Sequence, residues 1–159
     1  MRLTADLVTG ALIGYVSSRA MDAATSAFFA HQSEASKARE KEIAPDGTLV
    51  EVGRAVGSLA GRELPPERAA HWGLATHRTL GTTYGVIAAL LVRRGVPPLV
   101  AGPVVGGAAW VVIDEGLSLP TFRRYLPASH ARGVVGHGTW GAIAGLLLAV
   151  TAGRREKRC

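Results

Sequence analysis

The sequence predicts an all-α integral membrane protein, a four-helix bundle built from two tandem helical hairpins with a short amphipathic helical segment in its first loop. Three observations predict it. Four mostly apolar stretches approach the roughly 20 residues that a helix needs to cross a bilayer. The composition is small and aliphatic, with 20 glycines, 48% hydrophobic residues and only 19% charged, against about 25% charged in soluble domains. Two pairs of those stretches also repeat each other in sequence.

The stretches are Leu3–Phe29, Leu74–Val92, Val96–Leu117 and Val134–Ala152. The last is free of charge, whereas the first carries Arg19 and Asp22 in its second half. The N-terminus lacks a small-residue cleavage site after a short apolar core, so the first helix is expected to be retained. Between the first two spans, HQSEASKAREKEIA is too polar for a bilayer and is expected to extend helix one into water. After Pro45-Asp46-Gly47, the residues Leu49, Val52, Val56 and Leu59 recur at helical spacing, as in a short helix lying on the bundle or at the interface. Pro65 and Pro66 suit the start of the second long helix. Arg93-Arg94-Gly95 followed by Pro97 and Pro98 reads as a tight turn between antiparallel helices, and LPTFRRYLPASHARG joins spans three and four.

The chain is one membrane domain, with repeat one over 1–95, repeat two over 96–153 and a basic tail at 154–159. At an offset of 60, Gly73, His77, Thr79, Gly81, Gly85 and Ala89 pair with Gly133, His137, Thr139, Gly141, Gly145 and Ala149. At an offset of 92, Gly10, Gly14 and Asp22 pair with Gly102, Gly106 and Asp114. Two hairpins of one orientation imply a pseudo-two-fold axis along the membrane normal. Glycines every four residues form a groove on one helix face, where a neighbouring backbone can approach. The helix-packing candidates are therefore Gly10, Gly14, Gly73, Gly81, Gly85, Gly102, Gly106, Gly133, Gly141 and Gly145.

The net charge is +6. Arg93, Arg94 and the tail residues Arg154, Arg155, Lys157 and Arg158 lie at span ends, as cytoplasmic anchors do, and favour both termini in the cytoplasm. No aromatic-basic interleaving or groove-reading motif accompanies the charge, so nucleic acid is not an expected partner. The expected partners are the lipid bilayer and a second copy or another membrane protein, met through small-residue faces. The single cysteine, Cys159, precludes an intrachain disulfide.

Ionisable groups inside a membrane usually face a bundle interior, a cavity or a partner. Asp22, His77, Asp114 and His137, with Arg19, Arg78 and Glu115 nearby, make a candidate polar layer on the non-cytoplasmic half. Several readings stay open. The layer is an ion or proton relay; or it binds a divalent metal, though no H-x3-H pair supports that; or His77 and His137 are axial ligands of a haem; or Asp–His contacts and the Thr79 or Thr139 hydroxyls simply hold the helices in register. No catalytic residue, metal site or obligatory cofactor is expected. Asp114-Glu115 is unsuited to acid-base catalysis because neighbours on a helix point apart. His71 and His130, beside Trp72 and Tyr125, suit headgroup depth, and His31 belongs to a solvated face.

GALIGYVSSRAMD, GLATHRTLGTTYG, IDEGLSLP and VVGHGTWGAIAG make the chain resemble the YagU-like family of small bacterial inner-membrane proteins, most closely at Gly136-His137 and at Gly73 with His77. The long charged connection departs from that family. The resemblance implies an inner-membrane location and a family without a settled activity, for which a part in acid resistance has been suggested. It supplies no catalytic residues. A transport, proton-linked or stress-related role and a non-catalytic scaffold or accessory subunit are the functional expectations, with a haem or metal protein as a further alternative.

Overall fold

A computed structural model describes residues 2–117 and 124–156, and every regular element in it is helical. The elements are α1 (Arg2–Ala30), α2 (Glu34–Ile43), α3 (Thr48–Leu59), α4 (Pro66–Arg93), α5 (Pro98–Ala109, continued by a π-helical segment Trp110–Leu117) and α6 (Pro127–Glu156). Part of the connection between α5 and α6, at 118–123, and the end of the basic tail beyond 156 lie outside the described residues. Among the described residues two stretches are long and apolar enough to cross a membrane, Pro98–Gly116 and Pro127–Gly153. α1 and α4 are long enough, but their charged and polar side chains keep them below that level.

α1 packs along α4 on one side and α6 on the other, α5 packs along α6, and α4 also touches α5. Small residues set these contacts. Gly10 and Gly14 of α1 lie against Gly85 and Gly81 of α4, where a Cβ on Gly10 would stand 2.7 Å from the Gly85 carbonyl oxygen. Gly102 and Gly106 of α5 lie the same way against Gly145, Gly141 and His137 of α6, a Cβ on Gly106 standing 2.6 Å from the His137 carbonyl oxygen. Offsets of 92 and 60 carry the first glycine crossing onto the second. With no side chain between them, the backbones gain dispersion contact along the whole crossing.

Beside these crossings the core mixes three alanines with larger apolar side chains: Ile13, Ala88, Ala89, Val105, Trp140, Ala144 and Leu148. Trp140 is its one large ring; its Nε1 donates to the Gly14 carbonyl at 3.3 Å, and Tyr84 meets it edge-on at 6.1 Å. The outer faces of the long helices are apolar as well, and two serines are buried between them. Ser17 and Ser18 are 0% and 1% exposed, while Leu12, Val8 and Leu146 are 63%, 54% and 54% exposed. Only 28% and 33% of the two most apolar stretches are buried.

One expectation is corrected in the first connection. HQSEASKAREKEIA does not prolong α1: the helix stops at Ala30, and Ser33 starts α2 by accepting from the Ser36 backbone N–H at 3.3 Å. A serine side chain in that place satisfies an otherwise orphaned amide and so favours a new helix over continuation. α3 forms and packs on α4 as a short helix on the bundle, with Val52 and Val56 half-buried and Leu49 and Leu59 exposed. Val50, Gly53 and Gly57 are buried, Gly53 against the Ala69 carbonyl of α4, and Leu59 is 90% exposed. Close approach to α4 requires glycine there, and Leu49 and Leu59 turn outward. Gly95 takes φ +95° in the turn between α4 and α5, which a residue with a Cβ rarely adopts.

Candidate functional site

The register of the glycine crossings decides which polar groups meet. α1 and α4 run antiparallel, so Asp6 lies beside Arg93 at one end and Asp22 beside His77 toward the other. His77 Nε2 is 3.0 Å from Asp22 Oδ1, and Arg78 donates to Asp22 Oδ2. In the second crossing His137 Nε2 is 3.3 Å from Asp114 Oδ2. Met21 and Thr25 of α1 lie against Gly136 of α6, so the two Asp–His pairs stand within about one helical turn of a common depth.

The pairs are not equal. Arg78 balances Asp22, whereas the residue corresponding to Arg78 in α6 is Gly138. With its imidazole neutral the first pair plus Arg78 carries no net charge, and the second carries the charge of Asp114. His137 is 9% exposed, so the second pair lies deeper in protein. Trp110 Nε1, close beside Asp114 around Gly133, has no hydrogen-bond partner among the described residues, and neither does Arg78 Nη1.

Several expected members fall elsewhere. Arg19 is exposed on the outer face of α1 and joins no ion pair among the described residues, because it directly follows Ser18 and so stands about 100° round a helix whose packed side is set by Gly14 and Ser18. Glu115 leaves the layer for His130, whose Nδ1 is 3.0 Å from Glu115 Oε1. Gly73 packs under α3, against the Leu49 carbonyl, and Gly133 lies beside Asp114 and Trp110, so neither belongs to the two glycine crossings. Thr79 is exposed and accepts no role between helices; its carbonyl receives the Thr83 hydroxyl. The four Asp and His side chains form two pairs at one level instead of one cluster.

The π-helical segment Trp110–Leu117 is where adjacent Asp114 and Glu115 both turn to α6, reaching histidines two turns apart. A π turn advances each residue by a smaller angle than an α turn, which keeps successive side chains nearer one face. Nothing in the run WVVIDEGL signals this; it follows from packing. Among the described residues no three His, Cys, Asp or Glu side chains converge as a metal would need, and in both pairs the imidazole Nε2 faces a carboxylate.

A second polar cluster escapes sequence reasoning altogether. Arg132 of α6 donates to Gln32 Oε1 at 2.9 Å and to Glu40 Oε2 at 2.8 Å, Gln32 donates to Ser36 at 2.8 Å and to Glu40 at 2.9 Å, and Ser129 donates to Glu40. The Arg132 guanidinium also stands 5.0 Å from the Phe29 ring centre. Burial works against the Glu40 carboxylate, but Ser129, Gln32 and Arg132 outweigh it and hold its pKa below the ordinary carboxylate value. The cluster ties α2 to the start of α6.

No family model, curated protein or solved structure matches the chain. The site is therefore read from its own geometry.

Proposed function

We propose that the chain is a multi-pass inner-membrane protein in which α1, α4, α5 and α6 cross the bilayer as a four-helix bundle of two tandem hairpins, with both termini cytoplasmic. The observation that carries this reading is the apolar outer surface of the long helices, where Val8, Leu12, Val104, Val111, Leu146 and Val150 are each about half exposed or more while Ser17 and Ser18 are buried. Water penalises such a surface, because soluble monomers rarely expose contiguous apolar patches beyond a few hundred Å²; lipid does not. The resemblance to the YagU-like family belongs to the same proposal.

Within that bundle the two Asp–His pairs act as a proton-responsive layer in an ion- or proton-linked role. What favours this is the recurrence of one carboxylate–imidazole contact in both crossings at a shared depth, together with their unequal charge. In this reading protonation would remove the net charge of the His137–Asp114 pair and add one to the His77–Asp22–Arg78 cluster. A scaffold role is favoured instead by the tight glycine crossings, with the same pairs acting as register locks.

Membrane fractionation with an alkaline carbonate wash tests the bundle, and proton flux in liposomes tests the layer. Retention through carbonate with flux that disappears in His77→Ala or His137→Ala supports the full proposal. Retention with no flux in any variant leaves the scaffold, and release by carbonate overturns the membrane reading.

A further inference from the structure

At the junction of α3 and α4 the chain opens a cleft of about 410 Å³, lined by Arg62, Glu63, Leu64, Arg68 and Trp72. Its construction is local and firm. α3 ends in a glycine turn: Gly61 takes φ +66°, and the Arg62 N–H donates back to the Gly57 carbonyl at 2.9 Å. Leu64 fills the space over Gly57, where a Cβ would come 2.7 Å from its Cδ1. The turn is thus pinned by a backbone bond and an apolar contact, and it presents Arg62 toward the first turns of α4. Arg68 and Trp72 are one helical turn apart there and share a face.

The cleft holds two guanidinium groups and one carboxylate. Among the described residues neither Arg62 nor Arg68 is in an ion pair, whereas Arg54, Arg78, Arg93 and Arg132 all are. Depth is the second observation. A hydrocarbon core of about 30 Å takes roughly 20 helical residues, and counting back from Arg93 at the end of α4 places the far boundary near Leu74. Leu74 is exposed and apolar. Trp72 then stands at the boundary and Arg68 about one turn beyond it, where the phosphates of a bilayer lie and where tryptophan rings settle. Leu59, just before the turn, and Leu49, whose carbonyl lies against Gly73, are exposed on α3.

We infer that this cleft binds the phosphate headgroup of an anionic phospholipid, with Arg62 and Arg68 on the phosphate, Trp72 at the glycerol level and the acyl chains running down past Leu74. Guanidinium suits phosphate because its planar fork of donors matches two phosphate oxygens. Glu63 disfavours a second negative group and so favours a singly charged headgroup over a polyphosphorylated one. The inference rests on the membrane reading above. α3 becomes an interfacial helix held in place from below by lipid and from the side by α4.

The test uses the full chain in detergent, with phosphatidylglycerol, phosphatidylcholine of the same acyl length and inorganic phosphate as probes, and native mass spectrometry to count what is retained. Phosphatidylglycerol is expected to bind roughly tenfold or more tighter than phosphatidylcholine, whose phosphate is the same but whose trimethylammonium group is repelled by the two guanidinium groups. Arg62→Gln with Arg68→Gln removes that preference. Lys41→Gln with Arg94→Gln, which removes the same charge outside the cleft, keeps it. Helical content measured on both double variants shows that the comparison is between folded proteins. Equal binding of both lipids, or a preference that survives in Arg62→Gln/Arg68→Gln, overturns the headgroup site; displacement of the lipid by equimolar inorganic phosphate assigns the cleft to a free anion and overturns it too. If the wild-type chain stays in membranes through carbonate, those failures fall on the cleft alone; a chain released by carbonate fails the membrane reading first.

Discussion

His77 Nε2 stands 3.0 Å from Asp22 Oδ1, joining α4 to α1 across 55 positions of sequence, and the neighbouring Arg78 holds the other oxygen of the same carboxylate. The carboxylate thus serves two partners from adjacent positions of one helix. Arg78 is 17% exposed and Asp22 is 37% exposed, so the pair lies between a solvated contact and a buried one.

Removing Asp22 leaves Arg78 without its counter-charge. A fully buried pair broken this way costs about 3–5 kcal/mol, and the exposure of Asp22 reduces that to about 1–2 kcal/mol. Asp22→Ala is expected to lower thermal stability in detergent more than His77→Ala does, because only the former strands a charge. Equal losses would show that Arg78 finds another partner.

Glycine crossings give a sharper contrast. Gly14→Ala pushes a methyl group into the Gly81 carbonyl, with backbone on both sides, and is expected to cost about 1–3 kcal/mol as overpacking does. Gly107 and Gly138 face open space, so Gly107→Ala or Gly138→Ala is expected to be neutral or to stabilise by up to about 1 kcal/mol through helix propensity. Thermal unfolding of the three variants side by side checks this; a harmful Gly107→Ala would indicate that a second copy packs on that face.

Attachment of α2 is expected to depend on pH. The Glu40 pKa is depressed in the folded chain, so its stabilisation is present above the ordinary carboxylate pKa and fades as pH falls through the lower, folded value. Hydrogen-exchange protection over 34–43, taken relative to the intrinsic rate at each pH, should be high at neutral pH and fall in acid. Glu40→Gln should exchange faster already at neutral pH and show a flatter response, since the amide cannot pair with Arg132. An unchanged acid response in Glu40→Gln would assign the effect to another group.

Val104 and Leu146 distinguish lipid from water as the surrounding medium. Both are more than half exposed, and an exposed residue of a soluble protein accepts lysine within about 0.5 kcal/mol. At the centre of a membrane helix the same change costs about 2.5–3.5 kcal/mol. Val104→Lys with Leu146→Lys is therefore expected to deplete the membrane fraction; normal yield and a raised soluble fraction would contradict the bundle.

Much of the helical layout was legible because apolar runs and glycine spacing are local properties. Arg2–Ala30 encloses the stretch read from Leu3 to Phe29, and Gly95 breaks α4 from α5 where Arg-Arg-Gly-Val-Pro-Pro predicts a turn. The stop at Ala30 was not legible, since the capping bond from Ser36 to Ser33 competes closely with one more helical turn. The outward turn of Leu49 and Leu59 was hidden for a related reason. Hydrophobic spacing names a stripe, but Gly53 and Gly57 allow a closer backbone approach than that stripe could, and contact area favours the glycines.

By itself the sequence determined that the chain is helical, that its long helices are lined by small residues, and that Asp22, His77, Asp114 and His137 occupy corresponding places in repeated stretches. Tertiary structure alone decided that they form two separate pairs, that Glu115 turns to His130, that Arg19 faces outward, and that Arg132 gathers Gln32 and Glu40 from the charged first connection. Helix formation follows from bonds four residues apart. Which side chains meet follows from crossing register, and register is fixed by where two glycine backbones fit together.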